Sequence, residues 1–190
     1  MEMNEKIAQS IRNEDSESKD KKEEKCKFIA RAKRPSGKGP WYSGGKLGGI
    51  EDGDDLTGHS FCALEDEGGN RSWYGFYPKG AIIGWDSVPE EDRISGALDF
   101  FKYVAGILYH GDEDHEYDDE KVYTIEGSQY DKAKNFASKW ASDKTKYCLA
   151  LNNCTTFVVK DGKAGDVSVP GGGWAFANPN SFGKNLAKSK

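Results

Sequence analysis

The sequence predicts an α+β domain in which an antiparallel sheet packs against helices, one of which carries a candidate nucleophile. Three observations point there. Residues 58–64 (GHSFCAL) and 71–77 (RSWYGFY) are runs of strand-forming residues joined by an acidic, glycine-containing turn, which is a hairpin signature. Tyr130, Ala133, Phe136, Ala137, Trp140 and Ala141 form one apolar face at helical spacing, which predicts a helix over 129–142. Asn152 and Asn153 follow a short apolar stretch and can cap a helix that opens at Cys154.

In chain order, residues 1–25 hold 8 acids and 6 bases around a weak Ile7, Ala8, Ile11 pattern. They are expected to form a charged tail or linker, with the folded domain in 26–190. Phe28, Ile29 and Ala30 interrupt the charges and predict a first strand from Cys26 to Ala32. Residues 36–58 carry eight glycines in 23 positions. They do not form a phosphate loop, because Gly45-Lys46 is followed by Leu47 and Pro40 stands where the leading glycine belongs. A surface loop is expected instead. After the hairpin, Pro78 and Gly80 end the return strand, and Ala81 to Trp85 reads as a short further strand. Ile94, Leu98, Phe101, Val104, Ala105 and Leu108 fall at roughly helical spacing and predict a helix over 94–109. Residues 111–121 hold seven acids. Counted from Asp112, the sixth and twelfth positions of a calcium loop are Tyr117 and Tyr123, so that motif fails and a solvated acidic loop is expected. Val122 to Ile125 predicts a strand, Ser128 an N-cap with Asp131 as its capping-box partner, and Tyr147 to Leu151 a last short strand. Gly162 and Gly165 end the Cys154 helix, and the glycine-rich stretch after it reads as loop.

Composition narrows the function. A chain of 190 residues with a net charge of −5 lacks the basic surface of a general nucleic-acid binder, so no nucleic-acid partner is expected. No run approaches the ~18 apolar residues of a membrane span. The first 25 residues have no apolar core of a signal peptide, so a cytoplasmic place, or export by a route independent of such a peptide, is expected. Four cysteines and three histidines, without CxxC or HExxH, give no footing for a zinc site. No metal or cofactor is expected.

Two features carry chemistry: Gly58-His59-Ser60 at the head of a strand, and Cys154 at the start of a helix. Unpaired backbone N–H groups and the positive end of the helix dipole favour a thiolate in a first turn. An adjacent imidazole strengthens that preference, and the same N–H groups can hold an oxyanion. Taken singly, such a cysteine is more often a small buried residue and such a histidine structural. Cys62 and Cys148 sit inside predicted strands as plain core residues, and Cys62, three residues from His59, has the wrong alternation to face it.

Glycine-histidine on an early strand (GHSFCAL, 58–64), an aromatic return strand ending in proline (WYGFYP, 73–78) and a distant Asn-Cys opening a helix (NNCTTF, 152–157) come in an order that resembles the circularly permuted papain-like fold. These are the permuted members of the NlpC/P60 superfamily, with lecithin:retinol acyltransferase-like proteins, PPPDE isopeptidases and bacterial effectors. With Gln129-Tyr130 opening the preceding helix, the effector-type members are the most similar. The resemblance implies a cysteine hydrolase that cleaves peptide amides, with Cys154 as nucleophile, His59 as base, and the Cys154 backbone N–H in the oxyanion hole. It implies bacterial cell-wall peptide as substrate and an immunity or inhibitor protein as partner. The family's third polar residue, which orients the histidine, has candidates in Ser72 and Tyr74 on the return strand, while His110 and His115 lie in the acidic loop. Two alternatives stay open: lipid acyl transfer or deacylation through a Cys154 thioester, and an inert binding module on the same fold.

Overall fold

The computed structural model describes residues 25–35, 58–94, 97–171 and 177–189. The expected tail and most of the glycine-rich loop lie outside them. Six strands form one antiparallel sheet: β1 (Cys26–Lys33), β2 (His59–Glu65), β3 (Arg71–Pro78), β4 (Val104–Tyr109), β5 (Asp119–Ile125) and β6 (Lys146–Tyr147). Their order is β5-β1-β2-β3-β4-β6. Among the described residues are four α-helices, α1 (Lys79–Ile83), α2 (Gly127–Ser142), α3 (Cys154–Ala164) and α4 (Pro179–Lys188), with short 3-10 turns between α1 and β4.

Strand alternation divides the sheet into two faces. Phe28, Ala30, Cys62, Leu64, Tyr74 and Phe76 point into the main core, where Ala133, Ala137 and Trp140 of α2, Phe157 and Val158 of α3, and Phe182 and Leu186 of α4 meet them. Ile29, Phe61, Ala63 and Trp73 form a smaller cluster on the opposite face. Arg31 lies over that cluster, its guanidinium 4.3 Å from the Trp73 ring centre and 3.9 Å from that of Tyr117.

The first strand, the hairpin and the Cys154 helix form as expected. Five features differ. Residues 104–109 are a strand, not the end of a helix; Val104 and Leu108 are buried, and a spacing of four satisfies a strand as well as a helix. Gly106 is required there, since a Cβ would overlap the Phe76 ring and the Thr145 carbonyl. Lys79–Ile83 is a short helix instead of a strand, with Gly80 pressed against the Trp85 ring. The cap of α2 is Glu126, which forms a capping box with Gln129, so neither Ser128 nor Asp131 has the expected role. Of the apolar stretch 147–151 only Tyr147 is in a strand; the remainder turns back, with Cys148 and Asn152 bridged. Finally, 179–188 is a helix rather than loop: Asn178 caps it, Pro179 occupies its first turn, and Phe182 and Leu186 bury one face.

Candidate active site

His59 is the first residue of β2 and pairs with Lys33 of β1. The preceding Gly58 has φ of +69°, and a Cβ there would overlap the Lys33 carbonyl, so the turn into the strand needs glycine. The His59 side chain is 2% exposed and stacks against Tyr77 and Phe61, with ring centres 4.3 and 5.6 Å away.

Cys154 opens α3. Asn153 caps that helix by accepting the Thr156 N–H at 3.0 Å, and its amide donates to the Leu149 and Ala177 carbonyls. One buried side chain thereby ties the Cys154 turn to the segment before it and to the approach to α4. The N–H groups of Cys154 and Thr155, at the helix start, have no intrahelical acceptor and face outward along the axis. Thr155 and Ser60, the neighbours of Cys154 and His59, share a fully buried hydrogen bond of 2.8 Å that fixes α3 against β2.

Cys154 acts on His59 electrostatically: its sulfur is among the groups that favour the charged imidazole. Cys154 is buried, 4% exposed, rather than open at the rim of a cleft. The second polar partner of His59 is Asp112, whose Oδ2 lies 3.3 Å from Nε2. Burial favours the neutral ring, but the hydrogen bonds and charges of Asp112 and Cys154 outweigh it and raise the His59 pKa from 6.5 to about 10.

Ser72 and Tyr74 are elsewhere. Tyr74 points into the main core, where burial and the neighbouring Cys62 and Asp161 raise its pKa against the Ser72 hydrogen bond. Asp112 comes instead from the run read as a solvated loop, and it is 2% exposed. Other acids of that run hold the loop to the end of β1. Glu116 meets Lys33 at 3.0 Å, Asp118 accepts the Arg34 N–H at 2.6 Å, and the Asp118 N–H donates to the Ala32 carbonyl. His115, from the same loop, stacks on His59 at 5.1 Å, whereas His110 packs edge-on against Tyr74. A signal for Asp112 exists in the register. Phe61, Gly75 and Tyr109 stand side by side across β2, β3 and β4, so the residues just after β4 reach toward the start of β2. Reading 104–109 as helix hid it.

Cys62, expected to be a plain core residue, is fully buried and free, but its sulfur donates to Asp161 Oδ2 of α3 at 3.5 Å. Among the described residues no group of three or more histidine, cysteine or carboxylate side chains is placed to hold a metal ion. No described helix is long and apolar enough to cross a membrane.

Sheet, helices and site together define an α+β fold with a six-stranded antiparallel sheet packed against helices, in the permuted papain-like arrangement. Among solved structures, the chain is similar to the crystal structure of the type VI secretion system effector TseH. The match has 14% identity, a TM-score of 0.52, and covers 87% of this chain and 90% of that one. No protein-family model matches the chain, and no curated protein matches it.

Proposed function

We propose that the protein is a cysteine hydrolase of peptide amide bonds, with Cys154 as nucleophile, His59 as general base and acid, and Asp112 as the group that orients His59. The observation that carries this reading is the buried Asp112 carboxylate 3.3 Å from the His59 ring, with Cys154 among the groups that raise the pKa of that ring. The thiol proton passes to His59, and the thiolate sulfur attacks the amide carbonyl carbon. The N–H of Cys154 holds the resulting oxyanion. Collapse breaks the C–N bond as His59 returns its proton to the leaving amine, which leaves a thioester on Cys154. Water, deprotonated by His59, then releases the acid and restores the thiol. The raised pKa of His59 favours the thiolate–imidazolium pair that the first proton transfer forms, which holds the proton ready for the leaving amine.

Bacterial cell-wall peptide is the proposed substrate, which agrees in kind with likeness to a secreted effector. An immunity or inhibitor protein is the proposed partner. Cross-linked cell-wall peptide, a ubiquitin-like isopeptide and a phospholipid are the substrates to assay with wild type and Cys154→Ala. The expected result is amine release from the cell-wall peptide by wild type alone, with a stability loss of about 1 kcal/mol for the variant, whose buried sulfur is removed. Release of fatty acid from the phospholipid alone would move the assignment to lipid deacylation. Full activity in Cys154→Ala would end the cysteine-nucleophile reading.

A further inference from the structure

We propose that Tyr77 is a positioning residue of this site: its phenol O–H holds the Asp112 carboxylate so that the other oxygen meets His59. The inference rests on the roles proposed above for His59 and Asp112 and extends them to β3. Tyr77 donates to Asp112 Oδ1 at 2.9 Å, while Oδ2 faces His59 Nε2 at the longer distance of 3.3 Å. The tighter partner of the carboxylate is therefore the phenol. Rotation about χ2 of an aspartate is broad, so a carboxylate carried on a loop needs a second fixed partner to keep one oxygen aimed at a ring nitrogen. Gly75 lies two residues before Tyr77 on the same face of β3, and a Cβ there would overlap Asp112 Oδ2. One strand thus admits the carboxylate at Gly75 and fastens it at Tyr77. The Tyr77 ring also stacks on the imidazole, centres 4.3 Å apart and planes 25° apart, so one side chain touches both groups it aligns.

The titratable and charged groups around His59 are Cys154 from α3, Asp112 and His115 from the loop after β4, Tyr77 from β3, and Lys33 opposite it on β1, which is paired with Glu116. The test follows the His59 ring by NMR titration in wild type, Tyr77→Phe, Asp112→Asn and the double variant. Tyr77→Phe keeps the stacked ring and loses only the hydroxyl. Its His59 midpoint should fall by roughly half a unit to one unit, the size of one modest hydrogen bond. Asp112→Asn should lower the midpoint further, and Tyr77→Phe should add nothing in that background. An unmoved or raised midpoint in Tyr77→Phe, or the same drop with and without Asp112, would overturn the proposal. Mass mapping of iodoacetamide labelling on the wild type tests the nucleophile separately. Failure of Cys154 to label first would count against the hydrolase reading, while the titration still decides the role of Tyr77.

Discussion

Asp112 and Cys154 both act on the His59 ring, and each sets a measurable property of it. The carboxylate of Asp112 adds charge and a hydrogen bond that favour the imidazolium, against burial that disfavours it. In the proposed mechanism the alkaline limb of kcat/KM reports loss of the proton that the leaving amine needs. That limb should lie high in wild type, toward the His59 value of about 10. Asp112→Asn removes a factor that raises the pKa and leaves burial in place, so the limb should move down by about one unit or more, as a pH–kcat/KM profile would show. The same shift enters stability. A base with a raised pKa contributes in full below 6.5, and the contribution is lost as pH rises through about 10. The variant should therefore melt lower at neutral pH, and a limb that stays in place would detach Asp112 from His59. Cysteine labelling supplies a second check at this scale. Cys62 is fully buried, and desolvation first, then Asp161, holds its thiol well above the ordinary range. Iodoacetamide at neutral pH should label Cys154 ahead of Cys26, Cys62 and Cys148; equal labelling of Cys62 would contradict the assignment.

Helix α3 is held to β2 by polar contacts inside an apolar core, and these give the helix its pH behaviour. Asp161 is fully buried, its Oδ2 accepts from Cys62, and its Oδ1 has no hydrogen-bond partner. Burial raises its pKa from 3.8 to about 8 despite that bond. The folded protein thus holds a proton that the unfolded chain releases above 3.8, and stability falls as pH rises from there until about 8. Asp161→Asn cannot ionise. It should melt higher than wild type at pH 8 and lose the advantage toward pH 4; a gap independent of pH would mean the carboxylate is already ionised in the fold. At the other end of the helix, Thr155→Val leaves the buried Ser60 hydroxyl without its partner and should cost ~1–3 kcal/mol in urea unfolding. The helix itself was legible in the sequence because its signals are local, an asparagine cap followed by an apolar face. The hairpin was legible for the same reason. Strand β4 was not: Val104 and Leu108 suit two periods equally, and only pairing with β3 and β6 decides between them. Helix α4 was hidden because its cap, Asn178, sits among glycines and prolines that read as loop.

Across the molecule, the site is assembled from four separate parts of the chain, and sequence spacing exposed only two of them. Cys154 and His59 stand in short motifs, whereas Asp112 is one of seven acids among residues 111–121 and is singled out only by what folds over Gly75. The C-terminal helix is the fourth part. α4 packs on β1 and β5 with Phe182 fully buried, and a Cβ at Gly58, beside His59, would press on Pro179. Asn153, the cap of the Cys154 helix, donates to the Ala177 carbonyl just before α4. Phe182 therefore supports the histidine strand and the cysteine helix at once. Phe182→Ala should cost ~3–5 kcal/mol, the usual range for emptying a buried aromatic position. If α4 belongs to the cooperative core, urea should unfold the variant in one transition at a lower midpoint. The preferential labelling of Cys154 should disappear at that same concentration, because the cap and the strand would let go together. Loss of the labelling preference well before the global transition would instead make α4 a separately melting strap, with the Cys154–His59 contact depending on it alone.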